Sequence, residues 1–545
     1  MSHDAGVSSK AQVRGCPQGS CAGPLLWNIT FNEVLAADWP AHTRVVAYAD
    51  DAALLVRGRT RNELEKKNGT EVCTLFADYC TRLKLQISTE KSTALIIPRP
   101  GTNPTRRPCI KLNGRNIKFV KNLKYLGVTW DSGLTFIPHI QDLRVKTSRI
   151  ARTARQFQGK NWGQSPHFQK LLYLTVAEKI ALYAAPIWAN PMGARKIRQL
   201  SALQRPFAIN LCKAYRTTAT NAAQVLAGII PLHIKALMES AYAQLIHLRR
   251  DATFGNTTYS PVQYEHRGDV LRTHPSIKGT GIRTVKSNCL HRDTLTKIYT
   301  DGSKHEHGVG SAFIHYDGSN TEYTWKGHLK PENSVFQAEV TALTAAVQHI
   351  LNNNIQAATI YTDSLSAINA IENQHHVSPS IINLQDILQH NRHTKITMVW
   401  VKAHDGNQGN EAADRLAKDA ASNLEAQEIN IPAPPSYLKR HLQGQAIRQW
   451  QEEWTNAETG RRTYERISKV STDRLIAIAP LVNYITGHGP FPSYFHRHGI
   501  SNTDICVCGE DGTPDHYLFR CPLTDTMHLF MPTSNITNCL PPTDN

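Results

Sequence analysis

With 545 residues, of which 41% are hydrophobic and 19% charged, and with no low-complexity tract, the chain is long enough for about three or four globular domains. Its net charge of +17 calls for a polyanionic partner, although charge alone does not separate nucleic acid from an acidic membrane surface. No apolar run approaches transmembrane length, Met1-Ser-His-Asp has no signal-peptide core, and eleven cysteines, eight without paired spacing, point to a reducing intracellular compartment.

In chain order, Arg14-Gly15-Cys16-Pro17-Gln18-Gly19-Ser20 is a turn-rich loop feeding a helix, with Leu25, Leu26, Ile29 and Leu35 expected on its inner side. Val45 to Val56 places Asp50 and Asp51 between two apolar strands. A hairpin tip tolerates aspartate, yet apolar flanks on both sides make the pair suggestive of a metal site. A helix bearing Val72, Leu75, Phe76 and Tyr79 leads towards Lys91, and an Asn113-Gly114 turn precedes Lys124-Tyr-Leu-Gly-Val128.

From 134 to 250 the pattern is helical, and Arg144, Lys146, Arg149, Arg152 and Arg155 form a basic run on the first helix. Between 251 and 293 periodicity is lost while Gly, Thr, Ser and Pro accumulate, which reads as a linker. Ile298-Tyr-Thr-Asp301-Gly-Ser is a strand ending on a carboxylate. Glu339 lies at the margin of the helical stripe Phe336, Val340, Leu343, Val347 and Ile350. A second strand ends on Asp363, where Ser364 can cap the following helix. A third strand leads through a Gly-rich loop holding His404 to a helix carrying Asp414. Four carboxylates brought together repel one another and require cations; oxygen ligands suit magnesium or manganese, and two such ions suit in-line attack on a phosphodiester.

Beyond a Pro-rich spacer near 429–436 comes a polar helix with Trp450 and Trp454, then Thr486-Gly-His488-Gly-Pro-Phe. Cys506, Cys508, His516 and Cys521 put three thiols and one imidazole within sixteen residues, a set able to close one tetrahedral structural zinc site. Scattered cysteines beside a surface histidine are the alternative, since Cys-x-Cys is tighter than common zinc spacings.

The four acids with the His404 loop resemble a type 1 ribonuclease H over roughly residues 295 to 425. That resemblance implies two metals held by Asp301, Glu339, Asp363 and Asp414, with His404 aiding turnover. The Gln18-Gly19 loop, the Asp50-Asp51 hairpin, Lys91 and the hairpin at Lys124 resemble the later part of a reverse transcriptase palm. It implies metal binding by Asp50 and Asp51 and a nucleotide and template pocket at Gln18 and Gly19, with the basic helix as a thumb on primer–template phosphates. In this order, with a terminal Cys-Cys-His-Cys knuckle, the modules look like the polyprotein of a non-LTR retrotransposon.

The expected architecture is a multidomain α/β chain. It comprises a partial palm at 1–133, a helical thumb or connection at 134–250, a linker at 251–293, a ribonuclease H domain at 294–425 and a C-terminal region at 426–545. The expected activity is cleavage of RNA in RNA–DNA hybrids; an RNA template and DNA primer are further partners, and no membrane is expected. The alternatives are an RNA-directed DNA polymerase, a catalytically silent nucleic-acid-binding remnant, or a transposase-like nuclease of the same fold, which Thr-Asp301-Gly-Ser and the His404 loop disfavour. Only fourteen residues precede Gly15, and their one acid, Asp4, has no apolar strand around it. The chain is therefore expected to begin mid-palm, without a third palm aspartate, and not to polymerise DNA.

Overall fold

The computed structural model describes residues 2–528 apart from 4–5, 8–18, 100, 103–105, 158–161, 269–281, 287–294, 307, 319, 404 and 423–425. It divides into two compact units, Met1–Lys146 and Thr147–Asn545. Among the described residues no single helix is long and apolar enough to cross a membrane.

In the first unit, helix α1 (Gly23–Leu35) and helix α2 (Gly69–Arg82) pack with a hairpin of strands β1 (Thr43–Tyr48) and β2 (Asp51–Val56). The face of α1 that turns inward differs from the expected one. Phe31 and Val34 are buried and Trp27 packs beside them, whereas Leu25, Leu26, Ile29 and Leu35 are exposed. The spacing of Trp27, Phe31 and Val34 traces one stripe, and its larger rings meet Phe76 and Cys80 of α2. Two further hairpins turn in two residues. Asn113 and Gly114 (φ 50° and 75°) close one, Leu126 and Gly127 (φ 46° and 80°) the other, the left-handed pair that matches strand twist. Ser2–His3 pairs with Gly6–Val7 where the sequence showed no strand; Asp4 lies outside the described residues.

Helix α3 (Ile137–Gln156) carries Arg144, Lys146, Arg149, Arg152 and Arg155 on its exposed face and Ile140, Leu143 and Ala151 on its buried one. In the second unit, α4 (Ala194–Cys212), α5 (Thr220–Ala227) and α6 (Leu232–Ile246) build a helical core. A seven-stranded sheet follows, from β3 (Arg283–Val285), β4 (Thr296–Lys304), β5 (Val309–Asp317), β6 (Asn320–Leu329), β7 (Ala357–Thr362), β8 (Lys395–Trp400) and β9 (Gln427–Ile429). Their order across the sheet is β3-β8-β7-β4-β5-β6-β9, with β4-β5 and β5-β6 antiparallel and the other pairs parallel. Helices α7 (Val335–Asn352), α8 (Leu365–Glu372) and α9 (Pro379–His390) bury Val340, Leu343, Ile371, Leu384 and their neighbours with Ile298, Ile360 and Met398 of the sheet. Helix α10 (Gln408–Ser422) packs on β4, β5 and β6.

Two stretches read as connectors are structured. Within 251–293, Ala252–Phe254 pairs with Thr257–Tyr259, Tyr264 bridges Ala433, and β3 extends the sheet beside β8. The Pro-rich spacer opens on the last residue of β9, which pairs with β6. Short strands carry too few residues to show periodicity, and edge pairing satisfies their backbone groups without a sequence signature. Helix α11 (Pro435–Thr455) then returns to the helical core, burying Leu438, Leu442, Ala446, Trp450 and Trp454 among Phe207, Leu226 and Leu245. The segments 147–264 and 433–485 thus share one core, not the two separate regions expected.

Candidate active site and metal centres

Asp301 lies in β4 and Asp363 one residue past the end of β7. The parallel register pairs Thr300 with Thr362, so the two aspartates emerge side by side from neighbouring central strands of the sheet. Glu339 reaches them from α7, whose start is fixed by a capping box between Ser334 and Gln337. Close approach of α7 needs Gly302: a Cβ there would stand 2.7 Å from the Glu339 amide nitrogen and 2.9 Å from the Ala338 Cβ. On the opposite face Gly310 admits α10, since a Cβ would lie 1.9 Å from the Ala417 carbonyl oxygen.

Asp301, Glu339 and Asp363 bring one carboxylate oxygen each to within 4.8 Å of the others. Asp301 and Glu339 are 5% and 6% exposed, and Asp363 is half-buried. Burial, then the charges of Asp363 and Asp414, raises Asp301 to about 7. Burial, then Asp301 and Asp363, holds Glu339 well above the usual carboxylate range, and its Oε2 is buried with no hydrogen-bond partner among the described residues. A cation held by oxygens fits this set: it would partner that oxygen and cancel the mutual repulsion.

Asp414 stands apart from the tight group. It is close enough to raise Asp301, but its Oδ2 is 2.7 Å from Lys418 Nζ. His404 falls outside the described residues. Two contacts to Asp363 went unread in the sequence: Trp400 Nε1 donates to its backbone oxygen at 3.0 Å, and Asn410 Nδ2 donates to its Oδ2 at 3.3 Å. The signal for Asn410 was its place in the first turn of an otherwise apolar helix face, where it is 4% exposed.

At the hairpin of the first unit, Asp50 occupies the turn and Asp51 opens β2; both are exposed. The turn is held by Trp27 Nε1, which donates to the Ala49 oxygen at 2.9 Å. The flanks are only partly buried, for Val46, Tyr48 and Leu55 are exposed. Among the described residues no third carboxylate or imidazole joins the pair in a ligand-sized group. Lys91 and Gly19 lie exposed in turns, and Gln18 is outside the described residues.

At the other end of the chain Cys506, Cys508, His516 and Cys521 converge, with every pair of ligand atoms within 4.8 Å. Cys506 Sγ is 3.8 Å from Cys521 Sγ, and Cys508 Sγ is 3.1 Å from His516 Nε2. The Cys506 amide bonds the Glu510 oxygen at 2.7 Å and the Gly509 amide bonds the Cys506 oxygen at 2.9 Å; this tight turn aims both thiols to one side. Thr513 caps the short helix that carries His516. The Cys508 backbone amide, then the Tyr517 hydroxyl, lowers the Cys506 thiol to about 6, favouring a metal-binding thiolate. Glu510 Oε2 lies 3.0 Å from His516 Nδ1, though off the line of a hydrogen bond, placing a carboxylate behind the imidazole.

Residues 293–422 match the family model for RNase H, and residues 2–130 match that for reverse transcriptase (RNA-dependent DNA polymerase). A 115 kDa protein in type-1 retrotransposable element R1DM of Drosophila melanogaster is 32% identical over 227 residues, covering 41% of this chain and 22% of that protein. A Pol polyprotein from type-1 retrotransposable element R1 of Bradysia coprophila is 30% identical over 235 residues, covering 42% of this chain and 23% of that protein. The chain therefore spans less than a quarter of either relative. Among solved structures, RNase H1 of Halobacterium salinarum aligns with 23% of this chain and 96% of its own, at 17% identity and a TM-score of 0.20.

Proposed function

From a chain that joins a reverse transcriptase segment to a ribonuclease H domain and has the Pol polyproteins of R1 non-LTR retrotransposons as homologues, we propose hydrolysis of the RNA strand of RNA–DNA hybrids by a type 1 ribonuclease H site. The carboxylate cluster of Asp301, Glu339 and Asp363 carries this reading. Two magnesium or manganese ions, when bound, would supply the positive charge that activates a water and stabilises the leaving 3′ oxygen. Asp301 and Glu339, 5% and 6% exposed, would hold that charge in a place water reaches poorly. Asp363, fixed by Trp400 and Asn410, supplies a third carboxylate, and Asp414 closes the rim beside Lys418. His404 would help clear the product, which carries a 5′-phosphate opposite a 3′-hydroxyl. Selectivity for the hybrid would rest on 2′-hydroxyl contacts and helix shape.

The test is cleavage of a labelled RNA–DNA hybrid by the full chain with magnesium, with manganese and with chelator, beside the Asp363→Asn variant. Metal-dependent cleavage that the variant lacks supports the reading. A folded chain that leaves the hybrid intact, or a variant that cuts as well as the parent sequence, overturns it.

For the reverse transcriptase segment the reading is template binding without synthesis, because Asp50 and Asp51 sit exposed without a third ligand among the described residues. Primer extension on an RNA template, lost on Asp50→Asn, would refute it. The Cys506, Cys508, His516 and Cys521 set, whose ligand atoms lie within 4.8 Å of one another, is read as a structural zinc site: four such ligands would fill a tetrahedral ion and leave no position for substrate.

A further inference from the structure

We propose that a patch on the second unit, built by Arg205, Tyr215, Arg216, His488, Arg497 and His498, binds single-stranded nucleic acid away from the nuclease carboxylates. The loop that follows α4 and the Thr486-Gly-His488-Gly motif meet here, although more than two hundred residues separate them in sequence. Thr217 Oγ1 lies 2.8 Å from His488 Nδ1 and 3.0 Å from the Tyr494 hydroxyl, fastening the loop to the motif. The His488 ring is further packed by Tyr494 at 5.4 Å and His498 at 6.0 Å.

The charged groups that act on the His488 ring are all cationic. Arg497 donates to the Gly487 backbone oxygen at 3.3 Å, and Arg205 donates to Thr220 Oγ1 at 2.7 Å and to the Arg216 backbone oxygen. Among the described residues, none of Arg205, Arg216 and Arg497 has a carboxylate within ion-pair distance. Nearby Arg462 and Arg466, by contrast, are both engaged by Asp515 at 2.7 and 3.0 Å. Burial, then Arg497, His498 and Arg205, presses His488 down to about 4, a second sign that cations gather here without compensation. A site that keeps unpaired cations together loses stability by it unless an anion arrives.

Tyr215 narrows the class of anion. It is 36% exposed and meets Tyr494 in a T-shaped pair, at 5.4 Å and 75°, so part of the residue faces solvent, next to Arg216 in the chain. A flexible strand with unpaired bases offers both a phosphate for each guanidinium and a base for that ring. A duplex hides its bases, and an acidic peptide offers no regular planar group.

The experiment uses the full chain and a fluorescein-labelled oligothymidylate of about 20 nucleotides, followed by fluorescence anisotropy across a salt series. Arg216→Ala combined with Arg497→Ala should weaken binding by about tenfold or more and flatten the log–log salt slope by about 1.4, two phosphate contacts at about 0.7 each. Tyr215→Ala should weaken binding by about fivefold or more while Tyr215→Phe retains it. Lys439→Ala combined with Arg448→Ala removes the same charge from the exposed face of α11 and should leave binding unchanged. Hybrid cleavage should be equal in all of these, which also reports that they fold. Unchanged binding in the arginine variant, an equal loss in the α11 control, or full competition by phosphatidylserine vesicles would overturn the proposal.

Discussion

Asp301 and Glu339 are carboxylates that the fold takes out of water with no ion-pair partner among the described residues, and only the more distant Lys418 eases the charge of Asp301. Both ionise above the ordinary range, so the folded chain retains protons that the unfolded chain has already released. The sign follows: metal-free stability is fully expressed below about pH 4 and is lost as pH climbs through about 7, where Asp301 ionises. The loss should be of order a few kcal/mol, and magnesium should reverse it. Urea unfolding of the metal-free chain between about pH 4.5 and pH 7.5 tests this against Asp301→Asn, whose profile should be flatter. A parent profile that rises over this window more than that of the variant would exclude the effect. Asn410 invites a second substitution. As the side-chain donor to Asp363 Oδ2 it positions a ligand without being one, so Asn410→Ala should cost about 10–100-fold in metal affinity or turnover. Raising the metal concentration should recover part of the rate, which a purely structural defect would not allow.

At the scale of elements, the site depends on how near a helix can come to a strand. Gly302→Ala would set a methyl group 2.7 Å from a backbone nitrogen, where no flexible side chain can yield. The helix must shift, at about 1–3 kcal/mol, and Glu339 shifts with it. Cleavage should therefore fall further than stability does, a split visible by comparing turnover with the urea midpoint. The C-terminal knuckle is an element of another kind, with Ile505, Val507, Leu523 and Met527 exposed and four metal-ligand side chains at its centre. Its order should depend on the ion. Metal analysis of the purified chain should find about one zinc per molecule. Cys521→Ser should release it and expose the segment from 501 to 528 to protease. A variant that retains zinc and resists protease would show that the four side chains serve packing alone.

Across the whole molecule, the helical core draws on both sides of the sheet domain in sequence. Trp450 and Trp454 of α11 are each 1% exposed among residues from α4, α5 and α6, and Lys170 Nζ donates to the backbone oxygens of Thr472 and Arg474 at 2.6 and 2.9 Å. Trp450→Ala should cost about 3–5 kcal/mol through the cavity it leaves. Protease sites should then open within 147–264 as well as near the mutation. Cleavage confined to the C-terminal segment would contradict a shared core.

Much of the nuclease site was legible before any fold was known. Strands that end on aspartate, a glutamate at the edge of a helical stripe and a capping serine are local patterns, set by side-chain period and backbone geometry over a few residues, and the sheet brings Asp301, Glu339 and Asp363 together as those patterns suggest. The same holds for the knuckle, where ligand chemistry is written in residue type and spacing. The inward face of α1 was misread because its leucines and isoleucine are as apolar as Trp27, Phe31 and Val34; only the partner helix selects between the two stripes. Edge strands β3 and β9 were invisible because three-residue strands gain their stability from a neighbour's unpaired backbone. Asn410 as a support for Asp363, the turning of Asp414 towards Lys418, and the joining of α11 to α4, α5 and α6 all depend on contacts between residues far apart in the chain or on the packing of whole helices. Local sequence sets which surfaces are apolar and which groups carry charge; tertiary packing decides which of them meet.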